Sequence, residues 1–238
     1  MTSEPVYGRN AVREVLRGPR AVRELWATER ALAAEPWLRE PGPGVRPRVM
    51  AERELTEAAG TRDHQGVVAW CEPYKYADAF DLAASDRPLL VVLDQVTDPH
   101  NLGAAIRSAE GAGATGVVVP AHGAARVTPA VCRASAGAVE HLPVAVVHNL
   151  ARYLNDVKGP DLWVWGAAAD GAVGLWDADF GNGGAAFVLG AEGKGLRPLV
   201  RRACDEIVSI PLLGRVGSLN VSVAAALLVY EARRRRRA

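Results

Sequence analysis

Apolar positions change their period along the chain. Over residues 6–17, Val12, Val15 and Leu16 form one helical stripe, Arg9, Arg13 and Arg17 follow a second at four-residue spacing, and Gly18-Pro19 stops the helix. The pattern then predicts an extended 22–27, a helix over 29–39, a Pro/Gly loop at 41–44, a strand near 48–51, a helix from 52 to 60 and a strand over 64–70. Together these make a small α/β unit. Beyond Leu89 the pattern shifts to short, continuous apolar runs at 89–93, 116–120, 143–147, 162–168, 185–189 and 206–211. Runs of this kind are strands buried on both faces of a parallel sheet. Helical stretches at 98–111, 129–137, 149–157, 196–203 and 218–235 alternate with them, so an α/β domain with helices on both sheet faces is expected. Weak periodicity over 72–87, ending in Ser85-Asp86-Arg87-Pro88, marks a linker. The expected domains are 1–72 and 88–238, joined by 73–87.

Composition narrows the functional classes. The net charge is only +1, but positive charge gathers toward both ends, and 25 of the 28 basic residues are arginine. That bias reflects either coding preference or phosphate recognition through the planar guanidinium fork. The stripe of Arg9, Arg13 and Arg17 is a solvated helix face or a phosphate-contacting one. The same two readings apply to the terminal run Arg233 to Arg237. Cys71, Cys132 and Cys204 are widely spaced and signal neither a disulfide framework nor a zinc site. No apolar run approaches the roughly 18 residues of a membrane span, and the first residues lack a signal-peptide pattern. A soluble cytoplasmic protein without membrane association or metal is therefore expected.

One glycine pattern is a decoy. Gly111 to Gly116 reads G-x-G-x-x-G, yet it follows a helix and precedes a strand, the reverse of the dinucleotide-binding context. Three other segments, 101–107, 190–195 and 210–220, each lie just past a buried strand, where open α/β sheets bind ligands. Their glycines let backbone close on a flat ligand, Ile210, Leu212 and Leu219 offer apolar walls, and Asn101, Arg107, Glu192, Ser218 and Asn220 supply polar groups. Taken singly each polar residue has a plainer reading: Asn101 as a helix-start residue, Glu192 as a capping carboxylate or the partner of Arg107, Ser218 as the N-cap of the last helix. Their joint occurrence favours a shared pocket.

The three segments, Asn-x-Gly-x-x-x-Arg at 101–107, Gly-x-Glu-x-x-Gly at 190–195 and Ile-Pro-(x)6-Ser-Leu-Asn-Val-Ser-Val-Ala from 210, resemble in order the motifs of the SpoU branch of the SPOUT RNA methyltransferases. Val6 to Val12 and His64 to Ala69 resemble the ribosomal-protein-like RNA-binding domain of the bacterial 23S rRNA guanosine 2′-O-methyltransferase subgroup. The resemblance implies a small α/β RNA-binding domain followed by a parallel-sheet catalytic domain tied in a trefoil knot, a rare exception to unknotted topology. It implies S-adenosylmethionine as cofactor, held by Gly190, Ile210 and Leu219, with Leu189, Leu212 and Ser218 beside them. It implies transfer to a ribose 2′-OH of RNA, with rRNA ahead of tRNA as substrate. Arg107 would act at the reacting hydroxyl, oriented with Asn101, Glu192, Ser218 and Asn220. A guanidinium is an implausible base by itself, so Arg107 is expected to position the hydroxyl and an RNA phosphate. A homodimer packed through the last helix is implied as well. A non-catalytic RNA-binding or ribosome-assembly protein of the same fold is the alternative.

Overall fold

The computed structural model describes residues 3–42, 44–181, 183–191 and 193–236. The chain forms two compact units, Met1–Lys75 with Val127–His141, and Tyr76–Arg126 with Leu142–Ala238. In chain order the first elements are β1 (Glu4–Tyr7), α1 (Arg9–Arg17), β2 (Val22–Ala27), α2 (Glu29–Ala34), β3 (Pro47–Val49), α3 (Glu52–Ala59) and β4 (Val67–Cys71). There follow α4 (Ala79–Ala83), β5 (Leu89–Asp94), α5 (Pro99–Gly111), β6 (Gly116–Pro120), α6 (Pro129–Ala134), β7 (Val144–Val147) and α7 (Leu150–Val157). The last are β8 (Leu162–Ala167), β9 (Val173–Gly174), β10 (Gly184–Gly190), α8 (Pro198–Ala203), β11 (Glu206–Ser209) and α9 (Val221–Arg235).

In the first unit the sheet order is β1-β4-β2-β3, antiparallel except for the β2/β3 pair. The helix expected from residue 6 begins at Arg9 instead, because Gly8 at φ 91° breaks the chain between strand and helix and leaves Glu4–Tyr7 to pair with β4. Buried Ala11, Val12 and Val15 turn α1 inward. Residues 127–141, expected within the catalytic domain, belong to this unit. Gly137, at φ 89°, makes that docking possible: a Cβ there would meet the Cβ of Glu14 at 2.5 Å. Arg20 and Glu140 lock the same contact through a two-point ion pair, their side chains 7% and 2% exposed.

The second unit carries a seven-stranded, all-parallel sheet of order β7-β6-β5-β10-β8-β11-β9. All six residues of β5 are buried, as a strand covered on both faces requires. Leu90, Val92, Val118, Ala186 and Val188 share one core with Leu82 of α4, Leu150 and Leu154 of α7 and Val200 of α8. Alternate residues such as Val91, Leu93 and Phe187 point to the opposite face, where α9 packs on β10, β5 and α5. Residues 73–87, expected as a linker, instead supply α4. Asp78 caps it by accepting from the N–H groups of Phe80 and Asp81, and Ala79 and Leu82 are buried. The last helix starts at Val221 rather than Ser218, and its N-cap is Asn220. Among the described residues no helix is long and apolar enough to cross a membrane.

The arginine run closing α9 is divided. Arg234 and Arg235 both donate to Glu231, and these hydrogen bonds, that from Arg234 first, hold its carboxyl down to about 2 from the ordinary 4.5. A depressed carboxyl stabilises the fold above its unfolded pKa, and that contribution disappears as pH falls from about 4.5 to about 2. Glu231→Gln should flatten the acid limb of unfolding midpoint against pH in this window and leave the remainder unchanged. Arg20→Ala should cost about 3–5 kcal/mol in denaturant unfolding, because Glu140 stays buried without its counter-charge.

Candidate active site

The seven-stranded sheet reverses its winding between β5 and β10, and ligands of open α/β sheets bind beyond the strand ends at such a switch point. A cavity of about 460 Å³ lies there, walled by the strand-end residues Ala167, Leu189, Gly190 and Val208 and by Ile210, Leu212, Ser218, Leu219 and Asn220 from the loop after β11. Among the described residues, all that line it are uncharged. That size and apolar character suit a small organic ligand. All six residues expected to hold the cofactor, Gly190, Ile210, Leu219, Leu189, Leu212 and Ser218, line this one cavity.

Gly190 is a steric requirement. After it the chain turns back on itself through an Ala191/Gly195 bridge, with the Gly195 N–H donating to the Ala191 carbonyl at 2.9 Å. A Cβ on Gly190 would stand 2.1 Å from the carbonyl carbon and oxygen of Gly195, so any other residue would force the turn open. The turn is anchored further on by Asp94, a carboxylate with no solvent exposure at the end of β5. Asp94 accepts from the backbone N–H of Arg197 at 3.0 Å and from its Nε at 2.7 Å.

Two of the expected polar residues meet directly. Asn220 Nδ2 donates to Asn101 Oδ1 at 2.8 Å, while Asn220 Oδ1 accepts from the N–H and Oγ of Ser222. Asn220 therefore caps α9 and ties it to the first turn of α5. Ser218 sits in the cavity wall, two residues before the cap and outside the helix. Glu192 lies outside the described residues. Arg107 is brought to neither this cavity nor the polar one beside it: it is exposed on α5, on the same face as Gly111 one turn later. The neighbouring 380 Å³ cavity, which shares Ala191 and Val221, is lined by Gln95, Asp98, Asn101 and Lys194. Sequence reasoning missed Ala167 to Ala169, Val208 and Asp94. Only the last carried a signal, an acidic residue closing an otherwise apolar strand.

The arginine stripe of the first unit is engaged within that unit. Arg9 donates to Glu35 at 3.0 Å and to the Gln65 carbonyl, and Arg13 and Arg17 share Glu14. These pairs are partly exposed, so each contributes little stability.

The comparison with known proteins agrees with this layout. Residues 88–230 match the model of the SpoU rRNA Methylase family, and residues 5–77 match RNA 2′-O ribose methyltransferase substrate binding. The chain belongs to the SpoU rRNA methylase family. It is accordingly an RNA 2′-O-ribose methyltransferase. The 23S rRNA (guanosine-2′-O-)-methyltransferase RlmB of Pseudomonas syringae is 41% identical, over 99% of this chain and 97% of the relative. RlmB of Shewanella oneidensis is 39% identical, over 98% and 97%. Among solved structures, the SpoU methyltransferase AviRb from Streptomyces viridochromogenes superposes with a TM-score of 0.83 at 30% identity, covering 98% of this chain and 90% of that one. AviRb in complex with its cofactor AdoMet gives 0.79 at 29% identity, with the same coverage. These neighbours carry the SPOUT-type α/β fold class that the motifs imply.

Asn220→Ala should remove both the cap and the link to Asn101. The lost cap costs about 1 kcal/mol in thermal or denaturant unfolding. Loosening the two loops by on the order of 1 Å should reduce methyl transfer about 100-fold. Asn220→Asp, which keeps the capping oxygen but not the donor, should recover the stability and not the rate.

Proposed function

We propose that this methyltransferase modifies the 2′-OH of a guanosine in 23S rRNA, in the cytoplasm, with S-adenosylmethionine bound in the 460 Å³ cavity. The observation that carries the proposal is the joining of that glycine-walled cavity to the Asn101–Asn220 link at its rim. The residues fit the cofactor: the close backbone at Gly190 leaves exposed peptide groups rather than a side chain, and Leu189, Ile210 and Leu219 provide flat apolar walls for an adenosine. When bound, the cofactor supplies an electrophilic sulfonium methyl group. The protein's own task is to align the ribose hydroxyl and to accept or relay its proton. RlmB relatives supply the nucleotide and the rRNA, and the match extends over the whole chain including the substrate-binding region.

The working form is proposed to be a homodimer without membrane association. On α9, Val223, Leu227 and Tyr230 are exposed at i, i+4 and i+7, a single apolar stripe, while Val221, Ala225, Leu228 and Val229 are buried within the chain. Leu213 and Val216 of the preceding loop are exposed too. Tyr230 lies against Gly111, on the face of α5 that also carries Arg107. A second copy covering the α9 stripe would therefore also approach Arg107. Burying that stripe would let Arg107 of one protomer orient the hydroxyl and an RNA phosphate at the partner's cavity, with Asn101, Glu192, Ser218 and Asn220 holding the two loops.

Labelled-methyl transfer to bulk rRNA and bulk tRNA separately, followed by mapping, tests the substrate. Incorporation into 23S rRNA at a guanosine is expected; transfer to tRNA alone would move the enzyme to a tRNA substrate, and transfer to neither with cofactor binding intact would indicate a non-catalytic role. Arg107→Lys should lower the single-turnover rate about 100-fold, since an ammonium cannot replace a two-point guanidinium contact. Leu227→Glu should yield a monomer by sedimentation with equally poor turnover, and an active monomer would refute the dimer.

A further inference from the structure

The opposite end of the same unit holds a second polar cavity, of about 250 Å³, lined by Asp86, Arg87, Leu89, Gly113, Thr115, Arg233 and Arg236. It lies at the N-terminal ends of β5 and β6, away from the strand ends that form the cofactor cavity. Three arginines line it and, among the described residues, none of the three forms an ion pair. Among the described residues Asp86 is the one carboxylate in the wall, set against three arginines. Of the other three arginines of the terminal run, Arg234 and Arg235 are neutralised by Glu231, and Arg237 lies outside the described residues. The described part of the run is thus sorted into a paired set and an unpaired set.

Three features set this cluster apart from an ordinary basic surface. Arg233 and Arg236 are fixed by backbone: Arg233 Nε donates to the Ala112 carbonyl at 2.8 Å, and Arg236 donates to the carbonyls of Arg87, Pro88 and Gly183. Holding two cations rigidly beside each other is unfavourable unless an anion joins them, and burial together with the charges of Arg87 and Arg233 pushes the Arg236 guanidinium below its ordinary range. Arg236 Nε is buried without a hydrogen-bond partner among the described residues. Arg87 occupies left-handed backbone at φ 45°, a strained conformation for a long side chain that glycine or asparagine would relieve. Among the described residues its side chain has no hydrogen-bond or ion-pair partner to account for that strain.

We propose that Arg87, Arg233 and Arg236 form a phosphate-binding pocket that engages a backbone phosphodiester of the RNA substrate at a distance from the methylated nucleotide. The RNA part rests on the RNA methyltransferase reading above; the affinity for a phosphate group does not. A phosphate brings the acceptor oxygens that guanidinium groups require, and a backbone contact positions RNA without reading its sequence.

The test uses the full-length protein and Arg87→Asn, which removes the charge while relaxing the backbone and so should fold at least as well as the parent. Inorganic phosphate, titrated at constant ionic strength, should raise the wild-type melting temperature saturably and have no such effect on Arg87→Asn. In RNA binding the variant's log–log salt slope should fall by about 0.7–0.9, one phosphate contact, with KM for RNA raised and kcat retained. No phosphate-dependent shift in the wild type, or an equal shift in the variant, would overturn the pocket. A lost phosphate shift with an unchanged RNA salt slope and KM would overturn the RNA assignment and leave free phosphate as the ligand. Failure of the wild type to methylate any RNA would count against the functional reading without touching the thermal result.

Discussion

A carboxylate sealed from water has to be paired, and at Asp94 that requirement fixes the active-site end of the sheet. Asp94 closes β5, the strand beside β10, and its two oxygens take the N–H and Nε of Arg197, 103 residues later. Leaving a buried carboxylate without its counter-charge typically costs about 3–5 kcal/mol, so the chain leaving β10 has little freedom to settle elsewhere. It must return toward β5 within a few residues. Gly190 makes so tight a return possible, because the backbone of Gly195 occupies the space where a side chain would stand. The cavity floor is thus a consequence of one electrostatic and one steric condition applied to neighbouring strand ends.

Its roof depends on a different kind of bond. The loop 210–220 is largely exposed, and it is tied down where it ends, at Asn220. That side chain has two functional ends, and both are used: the oxygen caps α9 and the amide nitrogen reaches Asn101. Helix capping, normally a local matter, here also sets the distance between the start of α9 and the first turn of α5. Asn220 is short enough that both bonds cannot be kept if α9 shifts relative to α5. The packing of α9 on α5 and β10 therefore transmits directly to the shape of the cavity.

Much of this was legible in the chain because the strongest signals are local. The runs at β5, β6 and β10 are apolar enough to declare buried parallel strands, and all six expected cofactor residues line one cavity because they sit at strand ends or in one loop. Residues 4–7 and 79–83 were obscured by their shortness: four and five residues give too little periodicity to distinguish strand, helix or linker. The assignment of 127–141 to the first unit was invisible for another reason. It depends on Arg20 meeting Glu140 across 120 positions, and on Gly137 leaving room for Glu14, neither of which has a pattern in sequence. Arg107 shows the limit most clearly, since its motif spacing from Asn101 suggests a shared pocket while the helix carries it to an exposed face.

The distribution of arginine shows why a count of basic residues is a poor guide to nucleic-acid affinity. A guanidinium already bonded to a carboxylate gains little from a phosphate, because it must surrender one charge-assisted contact to make another. Arg9, Arg13, Arg17, Arg234 and Arg235 are all in that position. What releases counterions when RNA binds is the set without such partners, so the salt dependence of binding follows that set and not the total of 25 arginines. With a net charge of +1 the chain has no strong overall field to steer a polyanion. Binding must then be built from discrete contacts between individual guanidinium groups and individual backbone phosphates, each placed by the fold and not by a long-range field.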